Sequence, residues 1–186
     1  MSLHTVPNWL TFGRILSLPL IIVLASFPGR GFGIAAAVVF SLAAITDFLD
    51  GYIARKTGQV SEFGKLIDPI ADKIIVAAAF IMLVHLGRAP AWIVALIISR
   101  EFAISGLRAY AGTKGIIIEA RFMGKTKTTL QILAIICLLV NFNLWGFPFM
   151  EAGWILLIAA FAATMWSGYE YFRDYAASIK DTGTAD

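Results

Sequence analysis

Apolar segments joined by short polar connections occupy most of the chain. Six of these segments reach, or nearly reach, the length needed to cross a hydrocarbon core about 30 Å thick, so the pattern predicts six membrane-spanning helices. We expect five of them at residues 9–27, 32–54, 63–86, 91–111 and 154–173, and the fifth in chain order at 128–140 with its start inside GKTKT (124–128). A long polar connection is predicted at 112–127, and a turn containing Pro148 at 141–153.

The composition supports a membrane location for the whole chain. Of its 186 residues, 59% are hydrophobic and 15% are charged, and the mean hydropathy is +0.81. A soluble domain of this size would not carry so much apolar surface. We therefore predict one all-α integral membrane domain over residues 1–186, with a disordered tail from about residue 178. Arg14 lies inside the first apolar segment, which argues against a secretory signal peptide.

Basic residues in the connections predict the orientation. With six spans, one side carries nine of them: Arg55, Lys56, Lys65, Lys114, Arg121, Lys125, Lys127, Arg173 and Lys180. The opposite side carries Arg30 and Arg88. Because cytoplasmic loops are enriched in lysine and arginine, the first side is predicted to be cytoplasmic, together with both termini.

Four aspartates stand at the predicted cytoplasmic ends of the second and third spans. Asp47 and Asp50 are three residues apart, and Asp68 and Asp72 are four apart, so each pair lies on one face of its helix. A short polar link would fold the two helices back and bring the four carboxylates to one depth. Carboxylates this close repel each other unless cations neutralise them, and oxygen ligands of this kind suit Mg²⁺ or Mn²⁺.

Acidic residues within a membrane are also typical of cation transporters and channels. An ion path would need polar groups that continue towards the opposite face. The remaining halves of the second and third spans, residues 32–44 and 74–86, are apolar apart from Ser41 and His85. This pattern favours a site that is closed from the outside, as in an enzyme.

From Asp47 to Asp72 the chain reads Asp-x2-Asp-Gly-x2-Ala-Arg-x8-Gly-x3-Asp-x3-Asp. This pattern resembles that of the CDP-alcohol phosphatidyltransferase family at every fixed position and spacing. The segments PNWLTFGR (7–14), SREFAISGLR (99–108) and GKTKTTLQ (124–131) are similar to the bacterial branch that makes phosphatidylglycerol phosphate. The similarity extends over nearly all of the chain.

The resemblance implies the CDP-alcohol phosphotransferase fold: six membrane helices, commonly a homodimer, around a polar cavity open to the cytoplasm. It implies two divalent ions held by Asp47, Asp50, Asp68 and Asp72, with Asp72 also the base that deprotonates the acceptor hydroxyl. The implied CDP-lipid site consists of Asn8, Thr11, Gly51, Arg55, Ser61 and Gly64.

Two of these residues allow a second interpretation. Gly51 lies four residues after Asp47, where a missing side chain lets a nucleotide approach the backbone or lets two helices pack closely. Arg55 is suited to a diphosphate, and equally to a cytoplasmic position at the membrane surface.

The reaction implied is transfer of the phosphatidyl group from CDP-diacylglycerol to the 1-hydroxyl of sn-glycerol 3-phosphate, with release of CMP. The acceptor phosphate needs fixed cations, and a second basic set could supply them: Arg108, Arg121, Lys125 and Lys127. These residues could instead attract anionic lipid headgroups. Inositol phosphate, serine or phosphatidylglycerol are the alternative acceptors. We expect a bacterial inner-membrane protein, in contact with membrane lipids and without a nucleic-acid partner.

Charged residues inside the spans need partners or a cavity. Arg100 could pair with Glu101, although adjacent residues point about 100° apart on a helix. Lys73 could balance the charge of the aspartates. Arg14 raises the same question.

Overall fold

The computed structural model describes residues 6–57, 62–113 and 122–183. Within these ranges the chain forms six helices and one short hairpin. Their bounds are α1 Val6–Ser26, α2 Arg30–Thr57, α3 Glu62–His85, α4 Ala91–Thr113, α5 Phe122–Val140, β1 Asn143–Leu144, β2 Phe147–Pro148 and α6 Phe149–Gly183. The predicted all-helical fold and the order of its six helices are confirmed.

Helix α5 lies at the centre of the described bundle. It packs against α2, α3 and α6, while α1 packs against α2 and α3, and α4 packs against α3 and α6. Four side chains of α5 are fully buried: Ala134, Ile135, Leu138 and Leu139. Phe40 of α2, Phe80 of α3 and Ile97 of α4 complete the same apolar core.

Two predicted boundaries were wrong. Helix α5 begins at Phe122, two residues before the segment 124–128 in which its start was predicted, so the connection after α4 covers 114–121. Helix α6 begins at Phe149, inside the predicted turn. It continues to Gly183. Up to Gly183 this segment contains no proline or glycine after Gly168, which is why the helix can continue.

The turn before α6 contains an antiparallel hairpin. Asn143 pairs with Pro148 and Leu144 with Phe147, so Trp145 and Gly146 form a two-residue loop. Both have positive φ, 50° and 81°, as the common twisted hairpin turns require. Helix α6 follows directly, with Glu151 in its first turn, where the helix dipole favours a negative charge.

Pro69 lies inside helix α3. Because α3 begins at Glu62, Pro69 is its eighth residue and not part of its first turn. A proline there cannot donate to the carbonyl four residues earlier. The helix nevertheless continues to His85.

Among the residues that the structure describes, one helix is long and apolar enough to cross a membrane by itself. The segment is Phe149–Ala176 of α6, with a mean hydropathy of 1.6. In the other described helices the apolar stretches are shorter: Leu16–Ser26, Arg30–Thr46, Lys73–His85 and Thr126–Val140. The six membrane crossings therefore stay a prediction.

The carboxyl end of α5 is fixed by contacts from two other elements. Arg88, in the connection between α3 and α4, donates from Nη1 to the carbonyl oxygens of Leu138 and Leu139 at 3.1 and 2.8 Å. A cation at this end also complements the helix dipole. Burial lowers the pKa of the Arg88 guanidinium below its usual value. On the other side, Gly33 of α2 lies against the same turn of α5.

We expect Gly33→Ala to destabilise the protein. A Cβ at this position would lie 2.7 Å from the carbonyl oxygen of Leu139, so α2 and α5 would have to separate. Overpacking of this kind costs about 1–3 kcal/mol. Thermal unfolding in detergent, followed by tryptophan fluorescence, should show a lower Tm. Gly31→Ala is the matched control because a Cβ at Gly31 meets nothing within 4 Å. Equal Tm values for the two variants would contradict this contact.

Candidate active site

The aspartate pairs lie on continuous helix. Asp47 and Asp50 belong to α2, and Asp68 and Asp72 belong to α3, so the helical spacing used to predict them is confirmed. Their side chains lie outside the described part of the structure, as do those of Gly51, Arg55 and Gly64 in the same helices. Asn8 and Thr11 are residues of α1 whose side chains are likewise not described, and Ser61 falls in the undescribed link.

The two pairs are evenly placed about the link between their helices. Asp47 precedes Thr57, the last residue of α2, by ten residues, and Asp72 follows Glu62, the first residue of α3, by ten. At 1.5 Å per residue each lies about 15 Å along its helix from the link. A four-residue link allows at most about 18 Å between the two helix ends. Antiparallel helices joined in this way would hold Asp47 and Asp72 at one depth.

A cavity of about 240 Å³ lies one helical turn from these aspartates. Ala43 lines it from α2, four residues before Asp47, and Val76 lines it from α3, four residues after Asp72. Both spacings correspond to one turn on the same face of a helix. Helices α4 and α5 complete the walls. The cavity therefore shows that α2 and α3 face a common space next to the aspartates.

The cavity is polar towards the aspartate end and apolar towards the other. Lys73 and Glu101 line it together with Thr128 and Gln131. Its apolar lining includes Phe40, Phe80, Ile97, Ile98 and Ile132. Lys73 directly follows Asp72 in the chain, so the polar wall lies beside the predicted reacting groups.

An ion cluster, formed by Arg100, Glu101 and Lys127, lies next to this cavity, and Glu101 is the member of the cluster that lines it. Glu101 accepts through Oε1 from Arg100 Nη1 at 3.1 Å and also from Lys127 Nζ. The three side chains are only 11%, 17% and 10% exposed, respectively. The suggested pairing of Arg100 with Glu101 is confirmed, although the two are neighbours in sequence. The cluster carries two positive charges and one negative charge, so it leaves positive charge beside the cavity.

Arg100 extends this cluster to α6. Its Nη2 donates to Ser167 Oγ at 2.9 Å. Gly168 makes room for the guanidinium, because a Cβ there would lie 2.9 Å from Arg100 Nε. Within the described residues, Arg100 Nε itself has no hydrogen-bond partner. This contact was not predicted, because it joins residues 67 positions apart and no local pattern indicates it.

Lys73 is tied to α4. Its Nζ donates to Ser105 Oγ, which in turn donates to the backbone carbonyl of Glu101 at 2.7 Å. The predicted role of Lys73 as counter-charge to the aspartates stays a prediction, since those side chains are not described. A lysine held here is nevertheless next to Asp72 and on the cavity wall.

Of the four predicted acceptor-binding residues, the structure describes the side chains of two. Lys127 is buried and paired with Glu101. Arg108 is exposed on α4, with its guanidinium carbon 5.7 Å from the ring centroid of Tyr171. Lys125 belongs to α5, but its side chain is not described, and Arg121 lies outside the described residues. Their joint contact with an acceptor phosphate stays a prediction.

Searches against known proteins agree with the motif. The family model described as CDP-alcohol phosphatidyltransferase matches residues 4–166. The chain is 42% identical to the CDP-diacylglycerol–glycerol-3-phosphate 3-phosphatidyltransferase of Bacillus subtilis (strain 168), over 96% of this chain and 98% of that protein. It is 38% identical to the enzyme of the same name from Rickettsia bellii, over 91% and 94%. It is 34% identical to that of Escherichia coli (strain K12), over 95% and 97%.

These matches cover the aspartate pattern, the cavity and most of the bundle. A family model that spans residues 4–166 includes both aspartate helices and the described wall of α4 and α5. The chain belongs to the CDP-alcohol phosphatidyltransferase family.

Proposed function

We propose that this protein transfers the phosphatidyl group of CDP-diacylglycerol to the 1-hydroxyl of sn-glycerol 3-phosphate. The products are phosphatidylglycerol phosphate and CMP, and the reaction belongs to phospholipid synthesis. Relatives that bear the name of this activity align with nearly the whole chain. The observation that carries the proposal is the aspartate pattern, placed on two helices that line one cavity.

The chemistry of the donor set fits divalent metal. Four carboxylates at one depth would repel each other strongly in a membrane unless cations neutralise them. Asp47, Asp50, Asp68 and Asp72 would hold two Mg²⁺ or Mn²⁺ ions, which prefer oxygen ligands. When bound, such ions neutralise diphosphate charge and favour departure of the nucleotide. The regular helical spacing of the four residues supports this role.

Asp72 would also act as the general base. The acceptor is an alcohol, which is a poor nucleophile at neutral pH. A carboxylate within hydrogen-bond reach of that hydroxyl can take its proton as the new phosphorus–oxygen bond forms. Its neighbour Lys73, fixed to Ser105 on the cavity wall, keeps positive charge beside it.

The donor nucleotide would lie where α1, α2 and the start of α3 meet the cytoplasm. The residues proposed for it are Asn8, Thr11, Gly51, Arg55, Ser61 and Gly64. Gly51 follows Asp47 by one turn, so an absent side chain there leaves space for the nucleotide next to the metal ligands. Packing of α1 against both α2 and α3 supports a shared site.

Positive charge near the cavity suits an acceptor that carries a phosphate. A buried cation cluster with one carboxylate retains net positive charge, which would attract an anion. We assign the acceptor phosphate to Arg108, Arg121, Lys125 and Lys127. A neutral acceptor such as serine would leave this charge without a partner.

We place the enzyme in the bacterial inner membrane with six crossings, and with its termini and cavity mouth in the cytoplasm. The excess of basic residues in the link after α2, the connection after α4 and the C-terminal segment supports this orientation. Large apolar side chains exposed on α1 and α6 support contact with lipid: Leu16, Leu20, Val23, Ile155, Ile158 and Trp166. A homodimer is proposed on the family resemblance alone.

The acceptor decides between this function and its closest alternatives. Purified protein would be incubated with CDP-diacylglycerol, Mg²⁺ and one acceptor at a time: glycerol 3-phosphate, inositol 1-phosphate, serine or phosphatidylglycerol. Released CMP and the lipid product would be measured by mass spectrometry. We expect rapid CMP release and phosphatidylglycerol phosphate with glycerol 3-phosphate. The proposal would be contradicted if CMP were released with one of the other acceptors but not with glycerol 3-phosphate. It would also be contradicted if no acceptor led to CMP release.

A further inference from the structure

The ion cluster has more positive than negative charge, and it depends on one carboxylate. Arg100 and Lys127 both donate to Oε1 of Glu101, from α4 and α5 respectively. Within the described residues, Glu101 is the one acidic group paired with either of them. Removing its charge would leave two buried cations that repel each other in a medium of low dielectric constant. The placement of both therefore depends on Glu101.

Glu101 is also placed to influence the reaction site. It lines the cavity together with Lys73, and its backbone carbonyl accepts from the same Ser105 hydroxyl that receives Lys73. One residue thus connects three cations at or beside the cavity: Arg100, Lys127 and, through Ser105, Lys73. Arg100 carries the connection on to Ser167 of α6.

We propose that Glu101 is a positioning residue for the acceptor. Glu101 lines the cavity and holds Lys127 and Arg100 directly beside it, so that positive charge is already in place when the phosphate of the acceptor arrives. Side chains fixed in advance lose less entropy when the ligand binds. This inference rests on the proposed function, because it assumes an acceptor with a phosphate.

A purely structural role is the competing explanation, since a polar contact between helices can simply stabilise the bundle. The chain offers a matched control for it. Gln131 Nε2 of α5 donates to Thr164 Oγ1 of α6 at 3.0 Å, and both residues are buried. Thr164→Val removes this polar contact between helices without touching the ion cluster. It should lower the Tm while the KM for both substrates stays unchanged.

The test compares wild-type protein with Glu101→Gln, Glu101→Asp and Thr164→Val. For each, kcat, the KM for glycerol 3-phosphate, the KM for CDP-diacylglycerol and the Tm are measured. Glu101→Gln should raise the KM for glycerol 3-phosphate about tenfold, the scale of one lost charge-assisted hydrogen bond, and leave the KM for the lipid within about twofold. Glu101→Asp keeps the charge and should recover part of the loss.

A double-mutant cycle shows whether Glu101 acts through Lys127. In a Lys127→Gln background, Glu101→Gln should add no more than about twofold to the KM for glycerol 3-phosphate, because the group that it holds is gone. Independent effects that multiply would overturn the proposal. The proposal would also be overturned if Glu101→Gln lowered only the Tm and left the KM for glycerol 3-phosphate unchanged, as we expect for Thr164→Val.

Two further outcomes have a clear reading. If Glu101→Gln does not purify in folded form, Glu101→Asp decides: a KM for glycerol 3-phosphate raised about threefold supports the proposal, and an unchanged KM overturns it. A wild-type protein that releases no CMP with glycerol 3-phosphate contradicts the proposed function itself. An active wild-type protein whose KM does not respond to Glu101 contradicts the role of Glu101 alone.

Discussion

Asp68→Asn should abolish CMP release from CDP-diacylglycerol while the protein remains folded. Asparagine has nearly the same shape as aspartate, but it lacks the negative charge that offsets the charge of a divalent ion, so it is a much weaker ligand. Asp68 lies on α3, six residues after the start of the helix and one turn before Asp72. Without the carboxylate of Asp68, too few carboxylate ligands would remain to hold two ions. The measurement is CMP release at saturating Mg²⁺, with the Tm as the check on folding.

Asp174→Asn is a suitable control for this substitution. Asp174 lies far along α6 and pairs with the neighbouring Arg173 at 3.1 Å, near the surface. Such a contact contributes little, so activity and Tm should both stay close to wild type. Normal turnover by Asp68→Asn would remove Asp68 from the metal site, whatever the control does.

Asp72→Asn should slow turnover by about 10²–10⁴-fold, the usual contribution of a general base. Its effect on the KM for CDP-diacylglycerol should be much smaller, because the other three proposed metal ligands, Asp47, Asp50 and Asp68, would remain to hold the ions that bind the diphosphate. Steady-state kinetics with varied lipid separates the two quantities. Isothermal titration calorimetry of CDP-diacylglycerol binding to the Asp72→Asn variant gives an independent measure of lipid affinity.

The outcome distinguishes a base from a simple ligand. If kcat and lipid affinity fall together by similar factors, Asp72 is a binding residue and the base lies elsewhere. If lipid affinity survives while turnover collapses, Asp72 takes part in proton transfer. Lys73 is not a useful control here, since it is adjacent to Asp72 and bonded to Ser105 on the cavity wall.

Much of the fold can be predicted from local sequence, because a long run of apolar residues predicts the helix that it forms. Helices α1 to α4 begin and end within about three residues of the predicted bounds. The start of α5 was placed inside 124–128, a few residues late, because polar residues can also occupy the first turn of a helix and so do not mark its start. The start of α6 was missed because residues 141–153, which contain Pro148, were interpreted as one long turn.

Part of the candidate site could likewise be predicted from local sequence, and part could not. The aspartate pattern is local, so its spacing alone predicts that each pair lies on one helical face. The partners of charged residues are distant in sequence: Lys127 lies 26 residues from Glu101, and Ser167 lies 67 from Arg100. No helical periodicity contains that information. Arg100 and Glu101 could be recognised as needing partners inside a span, but only the packing of α4 against α6 identifies Ser167.

The cavity adjoins both the aspartate helices and the ion cluster. Its α2 and α3 walls continue the helical faces that carry Asp47 and Asp72, and its α4 wall includes Glu101 of the ion cluster. Negative charge from α2 and α3 would thus meet positive charge from α4 and α5 across one space. Such an arrangement suits a reaction in which two phosphate-bearing substrates approach each other beside metal ions.

Direct binding of Mn²⁺ tests the central claim, that the four aspartates hold divalent metal. Purified protein would be titrated with Mn²⁺ and free ion followed by electron paramagnetic resonance, alongside a variant in which Asp47, Asp50, Asp68 and Asp72 are all asparagine. The account predicts that wild type binds about two ions that Mg²⁺ displaces, while the folded variant binds none specifically. Equal Mn²⁺ binding by both proteins, or none by wild type in the presence of CDP-diacylglycerol, would contradict it.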